Sequence, residues 1–306
     1  MEATKHFYDG NVPTPIVARP LFRPASEELR FLPECPRVVG GSLLWISIQY
    51  SAGEFKGGLN VLDLASLQNV HHPLPGRPGF FALTEDPAVL VIGMEDRLVR
   101  FDRERATVTG TLAQLTLPER VIINDGIAIP GGLIFGTKDT AFRDPIAALY
   151  HFDSETGRVT ELIGGQYCSN GKSLHEGRLI DIDTLPRTIT EYRYDGTLHD
   201  ARLVVPPAAL PAYPDGLCGV PGGESVIVAF YNDRHTDEGV AQEIRLRDGA
   251  LLREWVLPGS PRVTCPALGE YAGEACVFFT TAIEGMPEAT REIAPEAGSI
   301  FVAPRR

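Results

Sequence analysis

The chain has 306 residues, of which 43% are hydrophobic, and a formal net charge of −12 at neutral pH. A hydrophobic fraction of this size supports a substantial core and excludes an intrinsically disordered chain. The excess of acidic residues would repel phosphate backbones and anionic lipid headgroups, so we expect neither nucleic acid nor a membrane as a partner.

The N-terminal sequence and the cysteines indicate a cytoplasmic protein. The first 15 residues, MEATKHFYDGNVPTP, lack the apolar stretch of a secretory signal, and no apolar run is long enough to span a bilayer. The cysteines are odd in number and form no CxxC pair, which favours reduced thiols. They lie at Cys35, Cys168, Cys218, Cys265 and Cys276.

Short segments with alternating apolar residues recur along the chain and predict β-strands, because they are rich in β-branched and aromatic residues. One strand of each pair is predicted at 42–49, 88–93, 131–137, 177–183, 224–231 and 274–280. The next strand follows after a short turn, at 59–64, 96–102, 148–153, 188–195, 243–248 and 298–303. The weak helical candidates are 25–29, 116–120 and 284–293, the last interrupted by Pro287.

The spacing of these strands predicts the architecture. The leading strands begin at 42, 88, 131, 177, 224 and 274, at intervals of 46, 43, 46, 47 and 50 residues. A repeat of this length is typical of propeller blades with about four strands each. We therefore predict an all-β, six-bladed β-propeller that forms a single domain over residues 1–306. The segment 15–22 would supply the outer strand of the last blade and close the ring.

A second periodic set lies just upstream of the leading strands. Glu34, Asn124, Asn170 and Asp215 are separated by 90, 46 and 45 residues, which are two, one and one blade repeats. Equivalent positions in successive blades surround the central tunnel, so these side chains should converge there. Converging carboxylates repel each other and lose hydration unless a cation joins them. Each motif alone (NDG, NG or PDG) is also a common turn, but their shared register favours a site.

The donor set predicts one divalent cation in the central tunnel. Two carboxylates and two amides are hard oxygen donors, which suit Ca²⁺ best, although Mg²⁺, Mn²⁺ and Zn²⁺ would also accept them.

The chain also resembles the senescence-marker-protein, gluconolactonase and luciferin-regenerating-enzyme family, which includes regucalcin and bacterial sugar lactonases. The resemblance rests on segments in family order from about residue 30 to the end, at 33–48, 123–137, 169–195, 214–233, 261–265 and 296–301. It implies that Glu34, Asn170 and Asp215 bind the metal directly and that Asp215 is the general base. It also implies that Asn124 and Asp125 contact the substrate.

The substrate-binding position Ile122 departs from the family pattern. Relatives that act on sugar lactones often have arginine there, and a second aspartate where this chain has Ala128. Ile122 offers only apolar contact, so the pocket should be less polar.

The resemblance implies a metal-dependent hydrolase that opens a small-molecule lactone, as a monomer or small homo-oligomer. The alternatives are a non-hydrolytic isomerisation or cyclisation at the same metal site, and a non-enzymatic calcium-binding propeller.

Three cysteines lie within three residues of proposed ligands. Cys35, Cys168 and Cys218 could line the pocket, and one could be a nucleophile, but buried thiols that fill the inner strands are the simpler interpretation. The segments 137–145 and 284–291 could form a rim or lid over the tunnel.

Overall fold

The computed structural model describes residues 13–305, so residues 1–12 of the expected domain, and residue 306, lie outside the described part. Within that part the strands form six antiparallel sheets, and the innermost strand of each contacts the innermost strands of its neighbours. The six-bladed β-propeller expected from the repeat length is confirmed.

Each blade has four strands, taken in order from the tunnel outward, and the fifth blade gains a short fifth strand at its outer edge. The first three blades contain β3 (Pro33–Val39), β4 (Ser42–Ser47), β5 (Gly58–Asp63) and β6 (Asn69–Pro73); β7 (Pro78–Leu83), β8 (Val89–Met94), β9 (Arg97–Asp102) and β10 (Thr107–Gln114); and β11 (Val121–Ile129), β12 (Gly132–Asp139), β13 (Ala147–Asp153) and β14 (Val159–Gln166). The fourth and fifth contain β15 (Ser169–His175), β16 (Arg178–Asp183), β17 (Thr188–Tyr194) and β18 (Leu198–Leu203); and β19 (Tyr213–Gly219), β20 (Ser225–Tyr231), β21 (Glu238–Arg245) and β22 (Leu251–Pro258).

The sixth blade joins the two ends of the chain. It consists of β23 (Val263–Tyr271), β24 (Glu274–Thr281), β25 (Ile300–Pro304) and, outermost, β2 (Arg19–Phe22). The closing strand is shorter than the expected segment 15–22. Residues of β1 (Ile16–Val17) pair in parallel with β22 instead, because the chain passes the edge of the fifth blade before it reaches the sixth.

The described residues contain two short α-helices, α1 (Glu27–Arg30) and α2 (Glu288–Ile293), and one 3-10 helical turn at Pro207–Ala209. Helix α2 begins directly after Pro287, so the 284–293 candidate is half loop and half helix. The candidate at 116–120 is a loop. No helix in residues 13–305 is long and apolar enough to cross a membrane.

The core lies between the blades, and the second strand of each blade is buried along most of its length. Trp45, Phe135, Phe230 and Phe278 are fully buried on β4, β12, β20 and β24. These strands are the ones that begin each sequence repeat, which explains why the hydrophobic pattern was strongest there. The innermost strands are therefore free to carry polar residues into the tunnel.

Candidate active site

Every innermost strand breaks its pairing register at the same place. The breaks fall between Glu34 and Arg37 in β3, and at the corresponding point of the other five blades. Such bulges re-aim the side chains around them. The six equivalent positions are Glu34, Gly79, Asn124, Asn170, Asp215 and Thr264.

Four of these positions meet at one cavity of about 490 Å³ at the mouth of the tunnel. Glu34, Asn124, Asn170 and Asp215 all line it, and each is buried. Asn170 Nδ2 donates a hydrogen bond to Asp215 Oδ1 at 2.5 Å, which joins the fourth and fifth blades directly. The convergence expected from the spacing is thus present among the described residues.

The remaining cavity wall mixes apolar, aromatic and charged side chains. The residues that complete it are Leu32, Ile48, Lys138, Phe142, Cys168, Thr184, Leu185, Tyr213, Tyr231, Asp233, Arg262, Glu284 and Gly285. Ile122 and Asp125, the other expected substrate contacts, are not among the described residues that line it.

The positions of Ile122 and Asp125 follow from the bulge. Asp125 Oδ1 accepts a hydrogen bond from the backbone nitrogen of Gly126 at 2.7 Å, while the preceding Asn124 points to the cavity. Ile122 is buried in β11, directly opposite Lys138 in the strand register.

The two carboxylates of the site are held in an unfavourable environment for charge. Burial and the neighbouring Asp215 raise the pKa of Glu34 well above its usual range. Burial likewise raises the pKa of Asp215 from 3.8 to about 8, although the nearby Lys138 ammonium and the Asn170 hydrogen bond oppose this shift. A cation bound between these two buried acids would lower the cost of ionising them.

The two amides are fixed by hydrogen bonds that their nitrogens donate to other residues. Asn124 Nδ2 donates to the carbonyl oxygen of Ser169 at 3.1 Å, and Asn170 Nδ2 also lies 3.2 Å from Thr184 Oγ1. Lys172 Nζ donates to the carbonyl oxygen of Asn170, and this buried ammonium is paired with Asp181 at 3.3 Å. Residues of the fourth blade, Ser169, Lys172 and Asp181, therefore hold both amides in place.

The residues present fit a hard divalent cation. No cluster of three or more His, Cys, Asp or Glu side chains in residues 13–305 could hold a metal, so amides must complete the set. Glu34 and Asp215 together carry the two negative charges that balance a divalent ion, and Asn170 adds an amide oxygen once its side chain rotates.

The cysteines separate into two groups. Cys168 lines the cavity, whereas Cys35 and Cys218 are not among the lining residues of the described chain. All five cysteines are free thiols. Burial raises the pKa of Cys168 to about 12, so the group stays protonated at neutral pH and is a poor nucleophile.

Sequence reasoning missed two cations in the cavity wall, Lys138 and Arg262. Both are buried, with 8% and 4% of their surface exposed. Neither lies in the periodic set, because Lys138 is at the end of β12 and Arg262 directly precedes β23. Lys138 could have been found from its pairing with Ile122, which was expected to contact the substrate, because directly paired residues project from the same face of a sheet.

The fold is shared with known propellers. Regucalcin, a calcium-binding protein from Agrobacterium tumefaciens, superposes with a TM-score of 0.81 at 21% identity over 95% of each chain. A luciferin-regenerating enzyme gives 0.76 at 18% identity, covering 89% of this chain and 91% of its own. A gluconolactonase from Xanthomonas campestris gives 0.67 at 16% identity, covering 94% and 89%.

Sequence comparison gives the family. L-arabinolactonase from Azospirillum brasilense is 27% identical over 242 residues, which are 76% of each protein. The family model described as the SMP-30/Gluconolactonase/LRE-like region matches residues 32–282, which include every residue of the cavity except Glu284 and Gly285. The chain therefore belongs to the SMP-30/gluconolactonase/LRE-like family, as its sequence motifs indicated.

Proposed function

We propose that this protein is a divalent-metal-dependent hydrolase that opens a small lactone. The observation that carries the proposal is the pair of buried, mutually repelling carboxylates, Glu34 and Asp215, beside two amides in one cavity. Its similarity to an L-arabinolactonase supports a cyclic ester as the substrate.

Glu34, Asn170 and Asp215 would hold the cation. When bound there, it would polarise the lactone carbonyl and stabilise the negative charge that develops on the carbonyl oxygen. Glu34 and Asp215 could then both be ionised, because the positive charge of the cation would offset the repulsion between the two carboxylates.

Asp215 would act as the general base. One of its oxygens would accept a proton from the attacking water, and the same group would return the proton to the ring oxygen as the ester bond breaks. In the metal-free protein Asn170 holds this carboxylate in the cavity through its hydrogen bond to Oδ1.

Asn124 would position the water or the substrate. Its Nδ2 is engaged by Ser169, while Oδ1 takes no hydrogen bond from the described residues. This oxygen can therefore accept one from a substrate hydroxyl or from the water. The apolar wall at Leu32, Ile48 and Leu185 would limit the number of competing waters.

A metal-reloading experiment tests the proposal. Protein stripped with a chelator should open no lactone, and Ca²⁺, Mg²⁺, Mn²⁺ or Zn²⁺ should restore the activity on at least one member of a lactone panel. Asp215→Ala should abolish turnover, whereas Asp237→Ala, which removes an exposed carboxylate, should leave it unchanged. Metal binding without hydrolysis of any lactone would instead favour a non-hydrolytic reaction or a calcium-binding role.

A further inference from the structure

Lys138 presents a buried ammonium to the cavity. Its side chain is 8% exposed, and Nζ lies 5.8 Å from the ring centroid of Phe142. Within residues 13–305 this ammonium has no hydrogen bond and no ion pair, although it lies close enough to Asp215 and Cys168 to act on both electrostatically. Its donors are therefore available to a ligand.

The loop after β12 fixes the position of this lysine. The buried carboxylate of Asp139 accepts hydrogen bonds from the backbone nitrogens of Ala141, Arg143 and Asp144 at 3.0–3.1 Å. This network orders the loop so that the Phe142 ring covers the lysine at the rim of the cavity. The ammonium thus lies in a built environment of restricted water access, where its interaction with an anion is strengthened.

No carboxylate of the described residues forms an ion pair with Lys138. A divalent cation held by Glu34 and Asp215 would match their two charges, and the other two acidic residues of the cavity wall, Asp233 and Glu284, lie beside Arg262 and Tyr231. A buried charge that no partner compensates is costly, and an anion on a ligand would remove that cost.

The opposite wall does not offer an equivalent anion site. Arg262 stacks at 5.1 Å on Tyr231 and donates from Nη2 to the carbonyl oxygen of Gly285 at 3.2 Å. Its Nε and Nη1 are enclosed and lack partners among the described residues, so a ligand cannot reach them without side-chain movement. Asp233 and Glu284 add acidic charge to the same wall. An anion would therefore be placed at Lys138.

We propose that Lys138 binds a carboxylate on the substrate, so that the protein opens lactones carrying a carboxylate in preference to neutral sugar lactones. This rests on the proposed lactone hydrolysis and assigns its substrate class. The Lys138 ammonium binds a part of the substrate that is remote from the reacting ester. It therefore determines which lactone is preferred and takes no part in the bond-breaking step.

Two lactones that differ at one carbon provide the test. D-Glucaro-1,4-lactone carries a carboxylate where D-glucono-1,4-lactone carries a hydroxymethyl group. The wild type should favour the first in kcat/KM. Lys138→Met should lose about 10- to 100-fold on the acidic lactone, mainly through KM, and much less on the neutral one. Lys138→Arg should retain the preference, and Lys56→Met, which removes an exposed charge, should change neither substrate.

A binding measurement separates this inference from the proposed function. In calorimetry, the open-chain dicarboxylate D-glucarate should bind the metal-loaded wild type more tightly than D-gluconate, and Lys138→Met should remove the difference. Equal losses on both lactones, or an unchanged preference for D-glucarate in Lys138→Met, would overturn the role of Lys138. If no lactone is opened but the difference in binding persists and depends on Lys138, the hydrolase proposal fails and the anion site stands.

Discussion

Replacing Asp215 with asparagine should stabilise the metal-free protein while it abolishes activity. The substitution keeps the size of the side chain and the Oδ1 acceptor that Asn170 uses, but removes a group that the fold keeps from ionising. In the unfolded chain Asp215 ionises near its ordinary pKa of 3.8, whereas burial raises its pKa in the folded protein to about 8.

The sign and size of the effect follow from this difference in pKa. Between pH 3.8 and 8 the folded state binds more protons than the unfolded state, so the stability of the metal-free wild type falls as the pH rises through this window. This rise in pKa lowers the free energy of unfolding by about 4 kcal/mol at pH 7 and by less than about 1 kcal/mol at pH 4. Burial of the new amide hydrogens offsets part of the gain, so we expect Asp215→Asn to add about 1–3 kcal/mol at pH 7.

Urea denaturation in the presence of a chelator, at pH 4 and pH 7, measures this gain. Asp181→Asn is the matched control, because Asp181 is equally buried but pairs with Lys172 at 3.3 Å. Loss of that carboxylate leaves the Lys172 ammonium buried without its counter-charge and should cost about 3–5 kcal/mol. If Asp215→Asn is as destabilising as the control at pH 7, burial does not disfavour the ionised form of Asp215, and the reasoning is refuted.

Three further substitutions test the construction of the site. Glu34→Gln removes one of the two charges, so the metal Kd should rise by roughly 100-fold or more in a titration; an unchanged Kd would exclude Glu34 as a ligand. Cys168→Ser should keep turnover within about threefold, because the thiol is protonated at neutral pH; loss of activity would make it a nucleophile. Gly171→Ala would place a Cβ 2.4 Å from the backbone nitrogen of Leu217 and should cost about 1–3 kcal/mol in thermal denaturation, whereas Gly53→Ala, with nothing within 4 Å, should be neutral.

The architecture could be predicted because one physical pattern repeats in every blade. The second strand of each sheet is buried on both faces, so its hydrophobic run stands out at a nearly constant interval. The same interval placed Glu34, Asn124, Asn170 and Asp215 at equivalent points of four innermost strands, and the structure brings them to one cavity.

Groups outside the repeat could not be predicted in this way. Lys138 and Arg262 reach the cavity from the end of a second strand and from a connecting segment, where the positions in different blades are not equivalent. The expected apolar contact at Ile122 assumed that the side chain from β11, rather than its partner from β12, faces the substrate. Strand register decides this, because Ile122 and Lys138 are directly paired and the longer side chain reaches the cavity.

The remaining two blades explain why the set of donors stops at four. The position equivalent to the ligands is Gly79 in the second blade, where a Cβ would lie 2.1 Å from the carbonyl oxygen of Asn124. In the sixth blade it is Thr264, whose hydroxyl donates to the carbonyl oxygen of Pro33 at 2.6 Å. The close approach of the strands thus leaves no room for a side chain at Gly79. At Thr264 the hydroxyl is already used in a hydrogen bond to the neighbouring strand. A cation in the cavity would therefore take its side-chain donors from the other four blades, the first, third, fourth and fifth.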